Sequence, residues 1–356
     1  SKIDFDFFRN KLVGQKKAIS MKELFINKYL IYYNTYISKQ YIKNFEFKGN
    51  LKMINELFHK IRNVYFKRIE KNTWLDNETK NRFLEKLKNI KLILGYKNNY
   101  LEDGDYNFLN DDALENRKEY SKWKFQTKME LLKKKVDKNT WRRFIDINTF
   151  DVNAYYVPVS NEVIIPLAIL QRPFVDISKP LHYNMAYFGT TLAHEITHAF
   201  NDDGREYDEN GKFTDDFWKK KDILYFDKKS EKIKNMYKKY ALNKKIPFNK
   251  EYSYGENFAD IIGLLVSEEV ILNDCFYNDI TNAKRDDILK QFYVLYVKQW
   301  RSKLRKKYKF TKMLNDEHST SLVRCNCSLM MSEQFLRVYN VKKTDLMFNS
   351  NIDSIF

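Results

Sequence analysis

Two histidines four residues apart, His194 and His198, constrain this chain more than any other feature of its sequence. They stand in the run His194-Glu195-Ile196-Thr197-His198, inside a stretch that predicts a long helix. On a helix, residues i and i+4 share a face, so the two imidazoles can bind one ion. Glu195 lies about 100° round the helix, where it can take a proton from a water on the open side of that ion. This spacing is typical of zinc peptidase sites, although unrelated histidines can also fall at it.

A catalytic zinc also needs a third protein ligand and one position open to water. His182 lies upstream with no neighbouring ligand type, and position 204, six residues beyond His198, is Gly. Glu256 opens a later apolar helix and is the remaining candidate. Asp260 follows on the same face, where its carboxylate could accept the second ring N–H of a ligand histidine. Both acids could instead simply occupy the first turn of a helix, which the helix dipole favours.

His318 and Arg324 form a further candidate pair near the end of the chain. A donor His and an Arg beside the zinc could stabilise an oxyanion and hold a peptide carbonyl. By composition alone, an ordinary loop His and an ordinary Arg are the simpler interpretation.

The composition predicts a globular, mainly helical protein. Of 356 residues, 43% are hydrophobic and 31% charged, with only 9 Gly and 5 Pro. This excludes a disordered chain and leaves little material for a turn-rich all-β fold. The net charge is +17, but the basic residues are spread along the chain without the interleaved aromatics of a single-strand nucleic-acid groove. We therefore expect a solvated basic surface rather than nucleic-acid binding.

The cysteines and the apolar runs predict neither a disulfide framework nor a membrane span. Cys275, Cys325 and Cys327 are too few for a disulfide framework, so we expect free thiols. No apolar run approaches the roughly 20 residues of a membrane helix, and no secretory signal opens the chain. These features predict no membrane span and leave the compartment open.

Helical patterns fill most of the chain. Residues 1–115 are predicted to be helical, including one helix with Phe83, Leu84, Leu87 and Ile90 on one face and Asp76 or Asn77 as its cap. Residues 151–157 and 162–166 are extended runs and predict a hairpin. The remaining periodic segments predict helices around 183–200, 215–242, 255–270 and 286–307. A polar stretch at 99–112 is the candidate boundary between a partial helical lobe, 1–115, and a catalytic lobe, 116–356.

Several runs, taken together, resemble the neprilysin family of zinc peptidases, which includes the endothelin-converting enzymes. In chain order these runs are Trp74-Leu75-Asp76, Leu94-Gly95-Tyr96, Val152-Asn153-Ala154-Tyr155-Tyr156, Ile165-Pro166, Ile169-Leu170-Gln171, Pro173-Phe174, the two-histidine run, Asp202-Asp203-Gly204-Arg205, Gly255-Glu256-Asn257-Phe258-Ala259-Asp260, and His318-Ser319 with Arg324. The resemblance covers most of the chain in the family's order.

The resemblance implies a role for each matching residue. His194, His198 and Glu256 would bind one zinc ion per chain, Glu195 would be the general base, and Asp260 would hold a ligand histidine. His318 would stabilise the transition state, while Arg324 would hold a substrate carbonyl after the cut. The substrate peptide would contact Asn153 and the backbone of Ala154, and its side chain after the cut would contact Ile169, Phe174 and Trp300.

The resemblance also implies the fold and the function. The fold would be mainly α (α+β), with a thermolysin-like zinc-peptidase lobe, a small sheet and part of a second, all-helical lobe. The function would be a zinc-dependent endopeptidase or oligopeptidase that uses a zinc-activated water, with an apolar residue after the cut. The alternative is a catalytically inactive relative that serves as a binding or scaffold protein. Because family members are usually much longer, a separate N-terminal chain or partner could complete the helical lobe.

Overall fold

The computed structural model describes residues 5–12, 14–45, 48–95, 112–135, 147–246, 248, 253–305 and 316–350. Within these residues the chain is mainly α-helical and contains one three-stranded sheet. The prediction of a mainly α fold with a small sheet is confirmed. The predicted loop at 99–112 lies outside the described residues except for Asp112.

The described residues of the N-terminal third are mainly helical. A π-helical segment at Phe5–Leu12 is followed by α1 (Met21–Tyr32), α2 (Asn34–Asn44), α3 (Lys48–Lys71), α4 (Asn77–Asn89) and α5 (Ala113–Leu131). Along α3, Ile54, Phe58, Ile61 and Tyr65 are buried and recur at intervals of three or four residues. This spacing places them on one face, which packs into the core.

Helix α4 begins at the predicted cap but ends earlier than predicted. The Asp76 side chain accepts a hydrogen bond from the backbone N–H of Glu78, as an N-cap does. The helix ends at Asn89, and Ile90 has extended backbone geometry. The prediction that Ile90 belongs to this helix is therefore wrong. Ile90 is nevertheless buried, because the chain enters a strand at the next residue.

The sheet has the strand order β1-β3-β2, formed by β1 (Lys91–Leu94), β2 (Tyr155–Val157) and β3 (Glu162–Ile165). Strands β2 and β3 are antiparallel, which confirms the predicted hairpin, and Asn161 takes the left-handed conformation in their turn. Strand β1 pairs parallel to β3, so the prediction of helix throughout 1–115 is wrong at β1. Among the described strands, β2 lies at one edge of the sheet.

Two helices form the centre of the molecule. Helix α6 (Leu181–Asn184) continues through a π-helical turn at Met185–Gly189 into α7 (Thr190–Thr197), which agrees with the helix predicted around 183–200. Its neighbour α9 (Tyr254–Tyr277) extends further than the predicted 255–270. Both helices are largely buried, which explains why their sequences are apolar on several faces.

The other C-terminal helices surround this pair. They are α8 (Lys220–Asn243), α10 (Asn282–Gln299), α11 (Ser321–Leu329) and α12 (Glu333–Val338). The helix predicted at 215–242 begins later, at Lys220. The helix predicted at 286–307 is wrong at 300–305, because the helix ends at Gln299 and residues 301–305 are not helical. Residues 306 and 307 lie outside the described part of the chain.

One hydrophobic core includes residues from both sides of residue 115. Phe83 of α4 lies 4.9 Å from Phe200 between ring centroids, and both rings are fully or almost fully buried. Burial of such a side chain contributes about 1.5–3 kcal/mol relative to exposure. The division into lobes at residue 115 stays a prediction.

Two further observations concern the cysteines and the lengths of the helices. Cys275, Cys325 and Cys327 are buried free thiols. Among the helices of the described ranges, none is both long enough and apolar enough to cross a bilayer.

Candidate active site

His194 lies on α7 and His198 directly follows its last residue. Helix α7 is held closely between α3 and α9. From the α3 side, the Tyr65 hydroxyl contacts the carbonyl of Ala193 at 2.8 Å and the Thr197 hydroxyl at 2.6 Å. From the α9 side, Gly263 lies so close that a Cβ there would be 2.8 Å from the Thr190 carbonyl and 3.0 Å from the His194 backbone nitrogen. Because glycine has no Cβ, the two helices can approach to this distance.

Three potential ligand groups, two imidazoles and one carboxylate, converge at the junction of α7 and α9. His194 Nε2 lies 3.0 Å from His198 Nε2 and 3.3 Å from Glu256 Oε2, and His198 Nε2 lies 3.4 Å from Glu256 Oε1. A tetrahedral zinc with ligands at about 2.0–2.1 Å would hold neighbouring ligand atoms about 3.3–3.4 Å apart. The donor set and its spacing therefore fit a zinc ion that keeps one position open.

Asp260 orients the first of these histidines. Its Oδ1 lies 2.9 Å from His194 Nδ1, so the ring donates from Nδ1 and turns the lone pair of Nε2 toward the other two ligand atoms. A carboxylate in this position fixes the tautomer and the ring angle of a metal-binding histidine. Burial opposes the charge of Asp260, but Arg324 and His194 hold the pKa of its carboxyl below the usual value.

Asn201 contacts the second histidine, and the sequence analysis did not single it out. Its Nδ2 lies 2.9 Å from His198 Nδ1, and its Oδ1 accepts from the backbone N–H of Gly204 at 2.9 Å. The spacing His198 to Asn201, three residues at the end of a helix, was the available signal. It is also the spacing of an ordinary turn residue after a helix, so this signal does not distinguish the two roles.

Glu195 is buried on the sheet side of α7. Burial raises the pKa of its carboxyl to about 7, and the backbone N–H of Tyr156 in β2 partly opposes this shift. A carboxyl with a pKa close to neutral is suited to accept and return a proton. The residue is not among the three convergent ligand atoms, as its position round the helix predicted.

His318 approaches the site from the segment before α11. Its Nε2 lies 2.9 Å from Glu256 Oε2, and its Nδ1 lies 2.8 Å from Asp316 Oδ1. Burial disfavours the charged ring, but the contact with Glu256 raises the pKa of His318 overall. Glu317, next to it, belongs with Glu256 and His318 to a second group of possible metal ligands.

Arg324 on α11 binds the two carboxylates of α9. Its Nε and Nη2 contact the two oxygens of Asp260 at 2.5 and 2.7 Å, and Nη2 also lies 3.3 Å from Glu256 Oε2. The guanidinium lies 4.8 Å above the ring of Trp300. This leaves Nη1 as the guanidinium nitrogen that neither carboxylate engages.

The predicted substrate-binding residues lie in three places. Asn153 is exposed and Ala154 is buried just before the edge strand β2. Ile169 is buried in a 3₁₀ turn and Phe174 is half-buried close after it. Trp300 is half-buried against Arg324 of the site. Whether Ile169, Phe174 and Trp300 line one pocket stays a prediction.

His182, for which the sequence analysis found no neighbouring ligand type, lies on α6. It contacts Gln291 of α10, and burial lowers its pKa. It is not part of the ligand groups found among the described residues.

Comparisons with known proteins identify the family of this chain. A family model described as Peptidase family M13 matches residues 153–355, and a second model of the same description matches residues 1–97. The chain belongs to peptidase family M13. The resemblance to neprilysin and endothelin-converting enzyme is thereby confirmed.

Curated relatives of this M13 chain include three peptidases. Neprilysin-3 of Drosophila melanogaster is 30% identical over 305 residues, covering 81% of this chain and 37% of the relative. Neutral endopeptidase of Lactococcus lactis subsp. lactis is 29% identical over 81% of this chain and 43% of its own length. Endothelin-converting enzyme 1 of Homo sapiens is 28% identical over 79% and 37%. The chain thus spans about two fifths of the length of these relatives.

Solved structures share the fold. A zinc metalloprotease of Mycobacterium tuberculosis, crystallised with an inhibitor, matches 98% of this chain and 53% of its own with a TM-score of 0.85 and 23% identity. PepO from Lactobacillus rhamnosis matches 96% of this chain and 52% of its own with a TM-score of 0.79 and 23% identity.

Proposed function

We propose that this chain carries the catalytic site of a zinc-dependent endopeptidase or oligopeptidase. The observation that supports the proposal most is the convergence of His194 Nε2, His198 Nε2 and the Glu256 carboxylate. The two nitrogens lie 3.0 Å apart, and each lies 3.3–3.4 Å from one oxygen of that carboxylate. These atoms come from two helices, and the buried carboxylate of Glu195 lies beside them. Membership of family M13 supports the same reaction class.

His194, His198 and Glu256 would hold the metal. When bound there, zinc would supply Lewis acidity that polarises the peptide carbonyl and makes water more acidic. Asp260 keeps the His194 ring in the tautomer that such binding requires, because it accepts from Nδ1.

Glu195 would accept the proton of the attacking water on a carboxylate oxygen and pass it to the leaving amine. Its burial supports this assignment, because burial raises the pKa of the carboxyl to about 7 and a base works best near the ambient pH. The backbone of Tyr156 beside it keeps the carboxylate facing the edge strand where a substrate would lie.

His318 and Arg324 would bind the carbonyl oxygens of the substrate. Asp316 and Glu256 lie beside the two ring nitrogens of His318, which favours the cationic ring with a proton on each nitrogen. The Nε2 N–H would then donate to the oxyanion. The Nη1 group of Arg324 would donate to a carbonyl on the side after the cut.

The substrate would be an extended peptide that adds as a strand to β2. Strand β2 is paired to β3 on one side and lies at the edge of the sheet, which is the arrangement used for strand addition. Asn153 and the backbone of Ala154, just before β2, would hold the peptide. An apolar side chain after the cut would contact Ile169, Phe174 and Trp300.

A separate N-terminal chain or partner would complete the helical lobe. Met21 and Phe25 of α1 are 79% and 65% exposed, and a further helical portion would cover such side chains. Its presence would also set the size of substrate that reaches the site.

The test is a peptide-library digest combined with metal analysis, with and without a chelator. We expect one zinc per chain and cleavage that the chelator abolishes. Glu195→Gln should keep the zinc and lose several orders of magnitude in kcat, while Glu333→Gln, an exposed change of the same chemistry, should act as wild type. Stoichiometric zinc without any cleavage would favour the inactive scaffold, and unchanged kcat in Glu195→Gln would refute the base assignment.

A further inference from the structure

The two ligand histidines are supported differently on the side away from the metal. His194 Nδ1 faces a carboxylate oxygen of Asp260 at 2.9 Å. His198 Nδ1 faces the amide nitrogen of Asn201, also at 2.9 Å. A carboxylate can only accept hydrogen bonds, whereas an amide nitrogen only donates them. The two rings therefore meet partners of opposite character.

The surrounding backbone fixes the orientation of the Asn201 amide. Oδ1 accepts from the backbone N–H groups of Gly204 at 2.9 Å and Asp203 at 3.2 Å. The Nδ2 group consequently points toward His198. Asn201 is only 2% exposed, so solvent does not substitute readily for either partner.

This orientation conflicts with metal binding through His198 Nε2. That atom faces His194 and Glu256, so its lone pair must be free when the metal binds, and the ring proton then resides on Nδ1. The N–H of Nδ1 and the amide N–H of Asn201 would face each other as two donors. If the amide turned by 180°, Oδ1 would accept from His198 Nδ1, but Nδ2 would then face the backbone N–H groups of Asp203 and Gly204. Two donors would again face each other.

We propose that Asn201 limits the zinc affinity of this site, because its amide cannot accept from His198 Nδ1 and from the Asp203–Gly204 backbone at the same time. This inference rests on the proposed function, since it takes the three convergent atoms as the zinc ligands. A carboxylate at position 201 accepts from both sides at once, as Asp260 does for His194. Asn201 is thus a positioning residue whose chemistry weakens the metal site.

The experiment measures the zinc dissociation constant of the 356-residue chain by competition with a chromophoric chelator. Asn201→Asp is expected to bind zinc about 10- to 100-fold more tightly than wild type, which is the range over which such supporting groups act. Asp260→Asn creates the same donor conflict at His194 and is expected to weaken binding by a similar factor. Equal or weaker zinc binding in Asn201→Asp overturns the proposal.

Lys212→Gln controls for charge. Lys212 is exposed in the same loop, and its replacement changes the net charge by the same amount as Asn201→Asp without touching His198. Its zinc affinity should stay at the wild-type value. If Lys212→Gln tightens binding as much as Asn201→Asp does, general electrostatics explains the gain and the proposal fails.

Asn201→Ala keeps the proposal testable if the buried carboxylate prevents folding. Without the amide, a water molecule can accept from His198 Nδ1, so zinc binding should be unchanged or tighter, although the loop loses stability. Weaker zinc binding in Asn201→Ala would mean that Asn201 supports the ring, which contradicts the proposal.

The failure of this inference can be told from the failure of the proposed function. If wild type binds zinc and cleaves peptides but Asn201→Asp binds no more tightly, only the role of Asn201 is refuted. If neither protein takes up zinc, both are refuted.

Discussion

The close approach of α9 to α7 at Gly263 can be tested by adding one methyl group. In Gly263→Ala the new Cβ would lie 2.8 Å from the carbonyl oxygen of Thr190 and 3.0 Å from the backbone nitrogen of His194. Both contacts are backbone atoms of a buried helix, so neither can rotate away. Restoring an ordinary contact of 3.4 Å requires the helices to separate by about 0.6 Å, the difference between 3.4 and 2.8 Å.

This separation has two consequences. Overpacking of a core costs about 1–3 kcal/mol, and the better helix propensity of Ala offsets about 1 kcal/mol of it, so we expect a loss of about 0–2 kcal/mol in unfolding free energy. The larger effect falls on zinc, because Glu256 moves away from the two histidines. A displacement of about 0.6 Å exceeds the roughly 0.2 Å tolerance of metal–ligand distances. We expect zinc affinity to fall about tenfold or more.

The assay combines urea unfolding of the metal-free chain with chelator competition for zinc. Gly49→Ala is the matched control, because its Cβ would meet only the flexible end of Ile177, at 3.2 Å. It should keep the zinc affinity of wild type and gain up to about 1 kcal/mol in unfolding free energy from the helix propensity of Ala. If Gly263→Ala binds zinc as tightly as Gly49→Ala, the two helices do not set the ligand spacing and the reasoning is refuted.

Two further predictions concern a buried lysine and the oxyanion donor. Lys86 is fully buried, and desolvation lowers the pKa of its ammonium group to about 7. Between about pH 7 and 10.5 the unfolded chain therefore binds more protons than the folded chain. The free energy of unfolding should rise with pH in this range by at most about 1.4 kcal/mol per pH unit. Urea unfolding at pH 7 and 9 should show this rise in wild type and a smaller one in Lys86→Met, and equal rises would contradict the assignment. His318→Ala should lower kcat by about 10²–10³-fold and retain one zinc. The control His59→Ala, at an exposed position, should leave kcat unchanged. A normal kcat in His318→Ala would show that His318 has no part in the mechanism.

The sequence predicted best what depends on spacing along one helix. His194 and His198 are four residues apart, as are Glu256 and Asp260, so the helical period alone places each pair on one face. We predicted that the face with the two histidines meets the face with Glu256, because a catalytic zinc needs a third protein ligand. The distance between the two pairs along the chain carries no such information.

Features that depend on distant partners were missed. Strand β1 is only four residues long and follows a helix, and its partner β3 lies about 70 positions later. Without that partner, Leu92 and Ile93 read as a continuation of the helical pattern. Helix α10 was predicted too long because residues 301–305 contain good helix formers. Its end at Trp300 coincides with the contact to Arg324, a residue from another helix.

The role of Asn201 also required the folded geometry. Asn is frequent in turns because its side chain binds nearby backbone N–H groups, and Asn201 does this with Gly204. Its second contact, to the ring of His198, depends on how the chain leaves α7. The residue type alone does not distinguish the two uses.

The most direct test of the account is anomalous diffraction at the zinc edge from crystals of the zinc-loaded chain. We expect a single peak at about 2.0–2.2 Å from Nε2 of His194, Nε2 of His198 and a carboxylate oxygen of Glu256. A peak elsewhere, or one without Glu256 among its ligands, would contradict the account.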